Sequence, residues 1–275
     1  MSWSYKQTDV LINFVEVDYS NTSTDGWFNV SDLGLVRSRP TITSSSFTGS
    51  SSNPPGRNGV DYGVFDKRGN AKLEFEVLIA YDWPHEQATL QGYTVWDRIE
   101  LLQSYVSMAK AISYREPGLT PKFFFKVKRV TTTINDAYED AATVKVTAEV
   151  APFRYDFDGW IPTELQNGSV IRSTYPGQPL QPTLFFKGAG AFVVYNQVDD
   201  ELGAIESTYD GSDMIILDSE TMLATFGSND ANANSYLSGN YDILRLAGGY
   251  TTDALKIFYQ DVTNVGIATK DGIVI

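Results

Sequence analysis

Cysteine is absent from the 275 residues, and histidine occurs once. Without a thiol there is no disulfide framework, no thiolate nucleophile and no thiolate metal site, so the fold must stand on packing alone. The single imidazole, His85 in DWPHEQ, excludes multi-histidine metal centres and reads as a solvated loop residue. Long apolar runs are missing too. No stretch approaches the roughly 20 apolar residues of a membrane span, and MSWSYKQTDVL at the start lacks the apolar run of a signal peptide. A soluble protein made in the cytoplasm, with no membrane partner, is expected. Positive charge is scarce and uneven: residues 1–151 hold 15 Lys and Arg against 18 acids, and residues 152–275 hold 6 against 16, for a net -13. Nucleic-acid binding needs cations to displace condensed counterions, so specific DNA or RNA recognition is not expected. The acidic surplus reads as a solvated surface that keeps a β-rich protein from associating nonspecifically.

What is present is enough for two cores, with 42% hydrophobic and 13% aromatic residues over a length comfortable for two domains. Period-2 alternation dominates the first half. Val10, Ile12 and Phe14, then Leu73, Phe75, Val77 and Ile79 against Lys72, Glu74 and Glu76, then Val144, Val146, Ala148 and Val150, read as half-buried antiparallel strands. KFFFKVKRV places Phe123, Phe125 and Val127 on one side and Lys126 and Lys128 on the other. Phe124 breaks that polar side and is expected to be an exposed contact. One segment has helical spacing, from Val95 through Ile99, Leu102, Val106 and Ala109 to Ile112. Thr94 with Asp97 supplies a helix start and Pro117-Gly118 a stop, so a helix is expected between Thr94 and Glu116. From APFRYDFDGWIP to Pro182 the chain is rich in turn residues, which sets a boundary near residue 152. Beyond it, short apolar runs separated by turns predict an all-β sandwich.

Chemistry is thin. Asp156 and Asp158 beside Trp160 have the composition of a carboxylate pair next to a sugar-stacking ring, but in a linker they read as turn residues. DANAN at 230–234 opens like a calcium loop and then fails, with Ser235 in place of the glycine and Tyr241 in place of the bidentate glutamate. KGAGAF lies between two strands and is a turn, not a phosphate cradle. Neither a nucleophile with a base nor a cofactor fingerprint is present; no catalytic, metal or cofactor-binding residue is assigned.

The second half, through STYPGQPLQPTLFFKGAGAFVVYN, DMIILDSETMLATF and YLSGNYDILRL, resembles the C-terminal domain of the distal tail proteins (Dit) of long-tailed phages. The shared features are Lys187-Gly188-Ala189-Gly190 closing a Pro-bounded strand, Asn196 closing the next, Asp218 after a buried strand, and Gly239-Asn240 before the last apolar run. SDLGLVRSRPTI followed by PPGRNGVDYGVFDKRGNAKLEFEV resembles the same family's N-terminal domain, so the likeness runs over nearly the whole chain in the family's order. It implies a mainly β protein with one long helix. Residues 1–151 would form an N-terminal α+β ring-forming domain, a β-sandwich plus helix, and 152–275 a C-terminal galectin-like β-sandwich. An extended β-arm over about 41–70 would reach a neighbouring subunit through Phe47, Pro54, Pro55, Arg57, Val60 and Tyr62. The alternative for that Ser/Gly/Pro-rich stretch is a disordered surface loop.

The function implied is structural, not enzymatic. A homo-hexamer, single or stacked as paired rings, would sit at the distal end of the tail in the virion, after assembly in the host cytoplasm. It would join the tail tube protein to a tail-tip, tail-associated lysin-type hub protein and to receptor-binding or baseplate proteins, with DNA passing through unbound. No cofactor is implied. The rival reading is a carbohydrate-binding module or adhesion domain for host cell-wall polysaccharide. The galectin sugar motif needs a histidine, and residues 152–275 have none. A tail tube subunit would leave the second sandwich unexplained.

Overall fold

The computed structural model describes residues 8–17, 23–44, 51–52, 61–62, 69–81, 92–116, 119–174, 180–196, 198–245, 254–270 and 272–274. Among the described residues the chain is mainly β with one α-helix. It divides into two compact units, Met1–Arg154 together with Val274–Ile275, and Tyr155–Ile273.

The first unit begins with β1 (Asp9–Asn13), β2 (Phe28–Asn29), β3 (Leu35–Val36) and β4 (Thr41–Thr43). β5 (Ser51–Ser52) and β6 (Asp61–Tyr62) pair antiparallel as a separate two-stranded ladder. The long elements follow: β7 (Ala71–Ala80), α1 (Val95–Ser107), β8 (Ala111–Arg115), β9 (Phe123–Ala137), β10 (Ala141–Val150) and the short β11 (Phe153–Asp156). The strand order β2-β1-β8-β9-β10-β7-β3 runs as one hydrogen-bonded path. β9 is the reason. Its fifteen residues pair with β8 through Phe124, Phe125 and Lys126, then with β10 from Val127 to Ala137. Bulges opposite Glu149/Val150 and Thr143/Val144 let the strand turn as it changes partner. The first of them leaves both Lys128 and Arg129 exposed between the inward Val127 and Val130.

The alternation along β7 and β10 has its expected cause. Leu73, Phe75, Val77 and Ile79 meet Val144, Val146 and Ala148 on one face, and α1 covers that face with Val95, Ile99, Leu102 and Val106. The helix start is a capping box: the Thr94 hydroxyl accepts from the Asp97 amide at 3.2 Å, and the Asp97 carboxylate accepts from the Thr94 amide at 2.7 Å. The helix ends at Ser107, well short of Glu116. Ala109 and Ile112 fall at helical spacing by coincidence. Ile112 belongs to β8, whose five residues lie in antiparallel register with β1 from Asp9↔Arg115 to Asn13↔Ala111.

The second unit contains β12 (Thr163–Glu164), β13 (Ser169–Ile171), β14 (Thr183–Lys187), β15 (Gly190–Tyr195) and β16 (Glu201–Ser207). It continues with β17 (Ile215–Asp218), β18 (Leu223–Phe226), β19 (Leu237–Gly239), β20 (Leu255–Gln260) and β21 (Thr263–Ala268). Two five-stranded antiparallel sheets, β12-β21-β14-β17-β18 and β13-β20-β15-β16-β19, share one core. Phe186 and Phe192 meet edge-on at its centre, 4.8 Å apart. The turn-rich stretch read as a boundary therefore already contains β12 and β13, one for each sheet. The last strand, β22 (Gly272–Val274), pairs with β11.

The motif residues of the second unit hold turns. Asn196 Oδ1 accepts from the amides of Val198 and Asp200, at 3.0 and 2.9 Å. Asn240 Oδ1 accepts from Asp242 N at 3.0 Å. Gly239 sits at φ +109, and a Cβ there would collide with the Ala204 carbonyl oxygen across the β16–β19 pair, so glycine is required.

Candidate functional site

The described residues that suggested chemistry lie in turns or in packed positions. Among the described residues no group of three or more acids and imidazoles is placed to hold a metal ion. Asp156 Oδ1 accepts from the Asp158 amide at 3.1 Å, which makes the pair a local turn. Trp160 is buried, with Tyr155 edge-on at 5.8 Å and Lys270 Nζ 4.9 Å from its ring centre. It offers no open face to a sugar. Lys270 is in turn ion-paired to Asp218 at 2.7 Å, and burial pushes the Tyr155 phenol well up. In DANAN the Asn232 and Asn234 side chains accept from backbone amides, of Asn234 at 2.8 Å and of Ala224 at 2.6 Å, so the segment is a turn braced on β18. His85 lies outside the described residues, as do Phe47, Pro54, Pro55, Arg57 and Val60. Tyr62 belongs to the β5–β6 ladder.

Phe124 is fully buried, contrary to the expectation of an exposed contact. Leu11, Ser113 and Phe124 lie in register across β1, β8 and β9, and all three are buried. Both faces of the sheet are covered at this point. A continuous Phe-Phe-Phe run is the expected sequence of a strand buried on two sides.

Two surfaces of the first unit remain as candidates. The first is the open face of β7, β10 and β9, opposite α1. Its register sets Lys72, Glu149 and Arg129 in one row, Glu74, Thr147 and Thr131 in the next, and Glu76, Lys145 and Thr133 in a third. Cations and carboxylates balance. Lys145 Nζ lies 3.0 Å from Glu74 Oε1, and the Thr147 hydroxyl donates to the same oxygen at 3.0 Å. The hydrogen bond from Lys145, then that from Thr147, holds the Glu74 carboxyl below its ordinary value. Asn70 donates to Glu149 at 2.6 Å. In these rows three cations and three carboxylates stand side by side with threonine hydroxyls, which makes the face hydrophilic.

The second is a cleft of about 440 Å³ where β8 ends and β9 begins, lined by Arg39, Tyr114, Arg115, Lys122, Phe123 and Arg154 among others. These residues come from separate segments, so the sequence carried no local signal for them.

A β unit with one helix, followed by a two-sheet unit, is a fold also found among the hub proteins of phage tails. The particular likeness is to the Dit protein of phage SPP1, described as a paradigm of the hub adsorption apparatus in phages that infect Gram-positive bacteria. The TM-score is 0.62 at 12% identity, covering 97% of this chain and 99% of that one. A chain of the phage p2 baseplate in its activated conformation matches with a TM-score of 0.51 at 13% identity, over 95% of this chain and 96% of that chain. At these identities the likeness is one of fold. No protein-family model matches the chain, and no curated protein matches it.

Proposed function

We propose that the chain is a structural, non-enzymatic phage tail protein of the Dit kind. Six copies form a ring at the distal end of the tail, joining the tail tube to the tip protein and carrying baseplate or receptor-binding proteins. The observation that carries the proposal is end-to-end agreement in fold with SPP1 Dit, both units included, over 97% of one chain and 99% of the other. The galectin-like name for the second unit rests on the same likeness. The balanced polar face of β7, β10 and β9 supports the reading: a lumen wall of balanced charge would let phosphate backbone slide past without holding it. Assembly takes place in the host cytoplasm and the product is part of the virion. The buried Trp160 weighs against the alternative of a sugar-binding module.

Native mass measurement on the purified protein, alone and with its tail partners, tests this. The expected result is a six-subunit species, single or paired, with a central opening in electron micrographs. Strictly monomeric protein from micromolar to millimolar concentration, with and without partners, overturns it.

A further inference from the structure

The two ends of β9 carry opposite charge. At its start, the cleft gathers Arg39, Arg115, Lys122 and Arg154 against two carboxylates, Glu116 and the Asp9 that pairs with Arg115 at 3.4 Å. The Arg154 guanidinium lies over Phe123, 4.5 Å from the ring centre, and its Nε is buried without a hydrogen-bond partner. Arg39 lies over Tyr114 at 5.3 Å. Arginine on aromatic rings, inside a concave surface, is the composition of a protein-binding hot spot.

At the far end, β9 turns into β10 through Tyr138, Glu139 and Asp140. Tyr138 N donates to Ala141 O at 2.7 Å, and Tyr81 N donates to Asp140 O at 2.8 Å, so the tip is a formed turn. Asp136, Glu139 and Asp140 are all exposed there, with no Lys or Arg between Ile134 and Ala142. Two aromatic side chains stand out beside them, Tyr138 at 69% exposure and Tyr81 at 68%. An exposed aromatic pair flanked by carboxylates is unusual on a surface with no partner.

We infer that the acidic β9–β10 tip of one copy docks in the cationic cleft of a neighbouring copy. One extended strand of fifteen residues, up to roughly 45 Å long, holds the two features at its opposite ends, so a copy's tip cannot reach its own cleft. The complement of each is present on every other copy. The contact is heterologous, head to tail, which is the kind that closes into rings. Opposite charge supplies steering and register, while the tyrosines beside the Arg-capped rings supply the apolar anchor. The inference rests on the ring reading and adds to it the surfaces that meet.

Charge reversal tests it. One variant carries Asp136→Lys, Glu139→Lys and Asp140→Lys; a second carries Arg39→Glu and Lys122→Glu, both at exposed positions; a third carries all five. Each of the first two, alone, is expected to raise the assembly dissociation constant by about tenfold or more, because like charges then face each other. An equal mixture of the two, and the third variant alone, are expected to assemble again. Circular dichroism spectra matching the wild type show that the variants are folded. Wild-type rings with both single-site reversals assembling equally well overturn the docking and leave the ring standing. Reversals that weaken assembly with no recovery in the mixture or in the third variant overturn it too. Monomeric wild-type protein removes both readings together.

Discussion

Phe124 marks where residue-level reading reached and where it stopped. Alternation along KLEFEV correctly separated Leu73, Phe75 and Val77 from Lys72, Glu74 and Glu76, because those strands have one wet face. The same rule failed at Phe124, since period 2 carries no information about whether the second face is covered by another part of the molecule. Its burial has a measurable consequence. Phe124→Ala should lower the unfolding free energy by about 3 to 5 kcal/mol, the range for a large aromatic removed from a core. Urea denaturation checks this; a loss under about 0.5 kcal/mol would mean that the side chain is not packed. Trp160 shows the same blindness in another form. In a turn-rich stretch it read as part of a linker, yet it is buried edge-on to Tyr155 and under Lys270, which is far away in sequence.

At the scale of elements, α1 was legible at its start and not at its end. Thr94 and Asp97 form the box their spacing announces, whereas the C-terminal limit came from pairing of β8 with β1, a long-range interaction no local pattern encodes. Thr94→Ala should destabilise the protein by about 1 kcal/mol through loss of the cap. The box also titrates. The hydrogen bond from the Thr94 amide, then that from its hydroxyl, holds the Asp97 carboxyl below its ordinary value of 3.8. A group with a lowered folded-state value contributes fully above its unfolded value, and the contribution is lost as pH falls through the folded one. Below about pH 4 the wild type should therefore lose helical signal by circular dichroism that Asp97→Asn, lacking the ionisable group, does not lose over the same interval. Equal acid profiles would remove Asp97 from the account. Strands of two or three residues, such as β12 and β13, escaped notice for a simpler reason: they are too short to show any period.

On the scale of the whole molecule, composition gave two cores and the structure has two, each made of buried side chains from its own unit. The charge imbalance was legible as a total, while its arrangement into a basic cleft and an acidic tip was not, because the basic residues come from separate segments. Residues 155–273 alone should unfold in one cooperative calorimetric transition, since both five-stranded sheets and their shared core lie inside that span. Titrated with host cell-wall polysaccharide, the fragment should give no saturable heat, as Trp160 is buried. Several overlapping transitions would show that the unit needs the rest of the chain. The pairing of Phe153–Asp156 with Gly272–Val274 bears on the same unit in another way. A chain shortened by residues 272–274 would leave β11 one strand partner instead of two, so its backbone groups on that side would turn to solvent.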